Sequence, residues 1–437
     1  MLNRVLGLTL AVAAALAAAV AVAAAPGAPA AAPDNAVLDW YRYAGQEVNQ
    51  AAQMRGQPQR ARLETAMVQG AVYNAVNAIA GTNQPYLAAP SAQPWYSKDA
   101  AAATAAYRVV IALLPDRQPA LEPLYEQSLA GIPDGTAKNG GIRVGEEAAA
   151  AMLAAREEDG RDGPRKPVIG TEPGEWRPTP PAFAIAPMAW IEDVEPFLIP
   201  SAERLRTRGP NRLTSGVYAK QFAEVKELGA ANSATRTAEQ TEVALYWDKA
   251  PWGEILVSLA QSQNLNTNDT ARLLAMVSLA GADAEITCIS EKNYWNTWRP
   301  ITAIREADTD GNPATTPDPN WTPLIETPGF PEYPAGHTCG SGAIVGVLQS
   351  FFGTDKVQFS AFSSGSGTTR SFASFSQALD EVIDSRVWGG IHFRTGDEVG
   401  ARIGARVANW ASSNYFKPTS RRKERGWPSS PSASWPA

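Results

Sequence analysis

A chain of 437 residues with 44% hydrophobic positions can bury a large core, and length alone favours roughly two to three domain-sized units. The net charge of −6, with Lys and Arg scattered along the chain, excludes the electrostatic footprint of a nucleic-acid binder or of a protein held on an anionic membrane surface. After Arg4, residues 5–25 are uncharged, alanine-rich and end in small residues before Pro26. Residues 1–32 therefore read as a secretory signal peptide with an Ala/Pro spacer. A retained anchor is the competing reading, but alanine is a weak membrane residue. In an exported chain the two cysteines, Cys288 and Cys339, fit either one disulfide or two buried thiols.

Apolar residues recurring at three-to-four spacing predict an N-terminal helical region over residues 33–245. Within it, residues 36–79 read as helical throughout, on the stripe Leu63, Met67, Ala71, Val72 and Val76. Further helices are expected over 101–114, 141–158, 215–228 and 237–246, and a second helical region, 246–416, opens with helices over 255–260 and 270–286. No convincing alternating strand pattern interrupts them, so the fold class is all-α, built from helical bundles. Pro and Gly clusters at 161–181 and 308–334 mark long loops of the kind that carry function. Trp40, Trp95, Trp176, Trp190, Trp247 and Trp252 are core or loop anchors. Residues 417–437, rich in Ser, Pro and Arg, read as a tail that wraps the surface or is flexible.

Three segments collect cations, glycines and both of the chain's histidines. The first runs from Lys292 to Arg299-Pro300. Residues seven apart share a helix face two turns on, so the two cations meet at one ligand if the helix persists that far, with Pro300 stopping it. A solvated basic face is the ordinary alternative. The second is Phe330-Pro-Glu-Tyr-Pro334-Ala335-Gly336-His337, ahead of an apolar helix over 343–352. It places Gly336 and His337 just before a helix N-terminus, where free N–H groups and the dipole favour an anion. The third is Ser385-Arg386, then His392 and Asp397, leading into a helix with Gly400 and Gly404 positioned for close packing. The two histidines lack the spaced partners of a divalent metal site.

Taken together, the order Lys292-x6-Arg299-Pro300, Pro334-x-Gly336-His337 and Ser385-Arg386-x5-His392 resembles the vanadium-dependent haloperoxidases and the type 2 phosphatidic acid phosphatase superfamily that shares their site. Phrases such as Trp176-Arg-Pro-Thr-Pro-Pro181 and Arg236-Thr-Ala-Glu-Gln240 extend the resemblance over most of the mature chain. It implies two four-helix bundles enclosing one active site. It implies that Lys292, Arg299, Arg386 and the Gly336 amide donate to the oxygens of vanadate, that His392 ligates vanadium, and that His337 is the acid–base group. Phe330 matches an aromatic halide-pocket position, with plain core packing as the alternative. The implied reaction is oxidation of halide by hydrogen peroxide, followed by halogenation of an organic acceptor, in a secreted protein without a membrane span after signal cleavage. The implied rivals are an acid phosphatase that takes phosphate and forms a phosphohistidine at His392, and an inactive oxyanion-binding homologue.

Three positions depart from that pattern. Ala335 stands where the relatives carry serine, removing one hydroxyl donor. Asp397 lies five residues after His392, where the relatives have aspartate four after, at Gly396 here. Either another acceptor orients His392 or the turn is longer, and Asp397 is also placed to cap the following helix. Ile289 replaces a tryptophan common in the relatives. Cys288 and Cys339 are brought together as a candidate disulfide if the Lys292 and His337 segments meet.

Overall fold

The computed structural model describes residues 35–419. The expected signal peptide and most of the tail therefore lie outside the described residues. Helix α1 (Ala36–Met54) starts at Asn35, whose side chain accepts the N–H groups of Val37 and Leu38, as an N-cap should. It does not continue into α2 (Arg60–Ala80). Gly56, in the left-handed region at φ 64°, and Pro58 break the stretch that periodicity alone joins into one helix. Helices α3 (Lys98–Leu113) and α5 (Thr136–Ala155), with α4 (Gln118–Ala130) between them, complete a first bundle of α1, α2, α3 and α5. Gly141 and Gly145 of α5 lie so close to the alanine-rich α3 that a Cβ on either would strike backbone oxygens of Ser97 and Ala101.

The second half follows through α6 (Gly216–Leu228), α7 (Ala238–Asp248), α8 (Trp252–Ser262), α9 (Thr267–Trp295), α10 (Pro300–Arg305), α11 (Gly336–Phe352), α12 (Phe375–Trp388) and α13 (Arg394–Asn414). Helix α7 runs across the 245/246 boundary drawn from the sequence. Of these, α9, α11, α12 and α13 pack together, and α9 also lies against α2 of the first bundle. Helix α9 is apolar and long enough to span a bilayer, but it is buried inside the protein. That burial matches a helix apolar on all sides. Midway along it, the buried Asp283 accepts the N–H groups of Phe197, Leu198 and Ile199 at 2.6–2.8 Å. The connection before α6 is thereby tied to the central helix.

One hairpin corrects the expectation of a strand-free chain: β1 (Phe359–Ser363) pairs antiparallel with β2 (Thr368–Phe372), Phe359 opposite Phe372. Its strands are five residues each and rich in Ser, Thr and Ala, so the alternation of Phe359, Ala361 and Ser363 is hard to see in the sequence. The start of the expected tail is docked, with Gln84 N–H donating to Lys417 O and Thr419 N–H to Thr82 O. Of the six tryptophans, five are buried; Trp95 is exposed.

The site's framework is the α11–α13 pair. A Cβ at Gly400 or Gly404 would strike α11 at Ala335 O and Cys339 O, and one at Gly342 of α11 would strike Ala401 O. Mutual glycine contacts let the two helices approach at backbone distance, which sets their N-termini side by side.

Candidate oxyanion site

Lys292 sits in the last turn of α9, a position the helix dipole favours for a cation. The helix then ends: Asn296 adopts φ 44° in the left-handed region. Arg299 is not two turns further along one helix, as the spacing suggested. It is the N-cap of α10, and Pro300 begins that helix where it was expected to stop one. The two cations converge nonetheless, because both close on the loop before α11. Lys292 Nζ donates to the carbonyls of Pro331 and Glu332, each at 2.8 Å. Arg299 Nε donates to Phe330 O at 2.8 Å and Nη1 to Ile391 O at 2.9 Å. Both charges lie over the Phe330 ring, Nζ at 5.1 Å and the guanidinium carbon at 4.8 Å from its centroid. Phe330 is therefore the apolar wall behind two buried cations. Burial lowers the Lys292 pKa and pushes that of Arg299 down to about 9, Arg386 adding to the latter.

His392 is held from both ring nitrogens. Nδ1 lies 2.8 Å from Oε1 of Glu332, which also accepts the Phe393 N–H at 3.2 Å. Nε2 lies 3.1 Å from Nη1 of Arg299. Arginine only donates, so the Nε2 lone pair is free of a proton, and Nδ1 carries the hydrogen given to Glu332. Burial, reinforced by Arg299, Lys292 and Arg386, keeps the imidazole pKa well below its usual value. The ring is thus neutral, with an unprotonated Nε2 facing the cations and chemically able to act as a ligand or nucleophile. Glu332, the acceptor that fixes it, was not singled out in the sequence, where attention falls on Asp397. Burial pushes Glu332 up to about 7 against the pull of Lys292 and Arg299.

Helix α11 supplies the opposite wall. It starts at Gly336, so His337 lies inside its first turn; the expected start at 343 is too late. Ala335 is the N-cap, and no side chain caps the helix. Its first N–H groups remain available to an anion at the positive end of the dipole. His337 donates to the backbone of Asp248, and burial, Arg386 and Arg62 hold its pKa well below the usual range. Arg386, in the last turn of α12, is buried and reaches Asp248 only loosely, Nη2 to Oδ1 at 3.8 Å. Its Nε and Nη1, and Nη2 of Arg299, are buried without a hydrogen-bond partner among the described residues.

The remaining expected residues divide. Ser385 is turned away, its hydroxyl donating to Val382 O at 2.7 Å within α12. Asp397 is neither the cap of α13, which is Phe393, nor the acceptor of His392. It lies in the first turn of α13, buried, both carboxylate oxygens unpartnered. Burial and Glu332 raise its pKa well above the usual value. Ile289 is buried beside Lys292 and Phe330. The candidate Cys288–Cys339 disulfide is not formed: both are free, buried thiols. They lie against each other, but Cys288 Sγ is directed to Pro334 O at 3.6 Å, and a bridge requires the sulfurs at about 2.0 Å.

Buried guanidinium N–H groups without a protein partner are costly, and here they surround an unprotonated imidazole nitrogen and an uncapped helix end. With Lys292 they give the pocket positive charge and unused donors, the chemistry that suits an oxyanion. Comparison with known proteins narrows the class. A family model for the second helical-bundle domain of VCPO matches residues 272–420. The vanadium chloroperoxidase of Curvularia inaequalis is 32% identical where it aligns, over 28% of this chain and 24% of its own length. The chain thus spans about a quarter of that curated relative. A bacterial vanadium-dependent iodoperoxidase superposes with TM-score 0.75 at 26% identity, covering 89% of this chain and 99% of that one. A holo-type bacterial vanadium-dependent chloroperoxidase shares the fold at TM-score 0.65 and 17% identity, covering 89% and 94%. The family model, the curated relative and the bacterial iodoperoxidase structure all place this chain's similarity with the vanadium-dependent haloperoxidases.

Proposed function

We propose that this chain is an exported haloperoxidase that uses hydrogen peroxide to oxidise a halide at a histidine-held vanadate, delivering a hypohalous equivalent to an organic acceptor. The observation that carries the reading is His392: its Nδ1 hydrogen is given to Glu332 and its Nε2 lone pair faces Arg299. A metal-ligating imidazole needs such a carboxylate behind it.

The residues fit vanadate. Arg299 Nη2 and Arg386 Nε and Nη1 are orphaned donors suited to its oxygens, each charge-assisted bond being worth roughly 1.5–3 kcal/mol. Lys292 and the Gly336 amide supply further positive potential, and His392 Nε2 supplies the ligand. The chemistry vanadate supplies when bound is Lewis-acid activation of hydrogen peroxide toward halide. The rest falls to the chain's own groups. His337, kept neutral by its surroundings, can accept a proton from peroxide at its unprotonated nitrogen. Asp248 holds His337 through its backbone and Arg386 through its carboxylate. Phe330 keeps the Lys292 and Arg299 side of the pocket dry.

Phosphate ester hydrolysis is the second reading. The unprotonated His392 nitrogen among buried cations supports it, since the same group can attack phosphorus, while the missing hydroxyl at Ala335 weakens either oxyanion alike. Assaying the purified apo-protein with and without orthovanadate separates the two. Halogenation with peroxide and iodide, bromide or chloride is expected only with vanadate, and vanadate-independent hydrolysis of an aryl phosphate without halogenation overturns the proposal.

A further inference from the structure

A cavity of about 240 Å³ opens beside Glu332, and His392 does not line it. It lies where the segment after α9, the loop before α6 and the start of α13 meet. Its walls are aromatic: Tyr218, Trp295, Trp298 and Phe393. Flat apolar walls select a ring. Its polar groups select a donor. Glu332 spends Oε1 on His392 and Phe393, and its Oε2 carries no hydrogen bond among the described residues. Gly396 also lines the cavity, and a Cβ there would collide with the Glu332 carboxylate. The glycine therefore leaves that carboxylate uncovered.

Asn211 and Gln221 direct their amide N–H groups to Thr395 Oγ1 at 2.8 and 2.7 Å, and Gln221 Oε1 takes the Thr395 N–H at 3.2 Å. This knot uses one amide N–H each of Asn211 and Gln221, leaving Asn211 Oδ1 as an acceptor and the Thr395 hydroxyl hydrogen as a donor. The cavity thus presents acceptors, one of them acidic, between aromatic faces. Its lining donors also include the Trp298 indole N–H and the Tyr218 hydroxyl, both buried without a partner among the described residues, and its one cationic lining residue, Arg212, is exposed.

We propose that this cavity binds a flat, uncharged ring compound of phenol to indole size, with its O–H or N–H donated to Oε2 of Glu332. The site is separate from the oxyanion pocket and does not depend on whether that pocket takes vanadate or phosphate. Above about pH 7, where Glu332 is ionised, a carboxylate-bearing ring is rejected by its like charge, and a ring without a donor leaves the acceptors unpaired.

Calorimetric titration of the full chain with phenol, toluene and benzoate, above about pH 7, tests this. Phenol is expected to bind one to one and at least about tenfold more tightly than toluene, with benzoate weakest. Leu213 lines the cavity, so Leu213→Trp is expected to weaken phenol binding at least about tenfold by filling it, with orthovanadate binding retained as the check on folding. Leu213→Phe serves if the larger residue disturbs the chain. Equal affinity for phenol and toluene, tighter binding of benzoate, or phenol binding unchanged in a folded Leu213 variant overturns the proposal.

Discussion

Oε1 of Glu332 stands 2.8 Å from Nδ1 of His392, and both side chains are buried. The carboxylate fixes the ring's tautomer and raises its basicity as a ligand. Glu332→Gln keeps an acceptor but removes the charge. Vanadate affinity is expected to fall about 10- to 100-fold with little change in helical content. Orthovanadate titration of the variant by calorimetry checks it, and unchanged affinity removes Glu332 from the site.

The same residue sets a pH dependence. Its folded-state pKa, raised from 4.5 to about 7 mainly by burial, lies above the unfolded value. The folded state therefore binds the proton more tightly, so the associated stability is present below about pH 4.5 and is lost as pH rises through about 7. Relative to Glu332→Gln, the apo wild type is expected to lose roughly 3 kcal/mol of unfolding free energy across that window. Taking the difference between the two proteins removes the contribution of groups distant from Glu332. His392, in contact with it, and Asp397, raised by it, still enter, the lowered histidine pKa acting in the opposite sense below about 6.5. Denaturant melts at pH 4.5, 6 and 7.5 decide it, and a difference that stays flat or grows with pH contradicts the assigned burial effect.

The two histidines should separate by phenotype. His392→Ala removes the ligand or nucleophile and is expected to abolish both oxyanion-dependent activities and to weaken vanadate binding strongly. His337→Ala leaves Lys292, Arg299, Arg386 and the helix end in place. Binding is then expected to change less than about tenfold while turnover falls about 100-fold or more, the range of general acid–base catalysis. Vanadate affinity and halogenation rate, measured side by side, test this. Equal losses of affinity in the two variants would merge the roles.

The convergence of these residues was legible because it rests on residue type and order: cations spaced through three segments and a glycine-histidine pair ahead of an apolar helix. The helices were legible for the same reason, as stripes of Leu, Val and Ala. What was missed depends on tertiary approach. Glu332 sits in a proline-rich loop with no periodicity, and only the closure of Lys292 and Arg299 on that loop brings its carboxylate to His392. Asp248 ends α7, far in sequence from the three motifs. Asp397 was a reasonable candidate by spacing, but its place within the first turn of α13 leaves it without a hydrogen bond to the ring. The α1–α2 break carried local signals in Gly56 and Pro58, which a smooth apolar stripe on either side outweighed.

Ala335 offers a gain-of-function test. As N-cap of α11 it has φ −75° and ψ 125°, extended backbone suited to serine at that position. A serine hydroxyl has one hydrogen to donate and two lone pairs to accept. It can therefore accept an N–H from the first turn of α11 and still donate to an oxyanion beside Gly336. Ala335→Ser is expected to stabilise the apo-protein by about 1 kcal/mol through the cap, and to tighten vanadate binding about fivefold through one added neutral hydrogen bond. Because the two effects use different atoms of the hydroxyl, they should appear together, as a higher melting temperature without vanadate and a lower Kd with it. A higher melting temperature with unchanged Kd means that the hydroxyl hydrogen faces away from the oxyanion. A lower melting temperature together with a higher Kd means that the buried position has no room for the oxygen, and Ala335 is then a packing requirement of the α11–α13 contact.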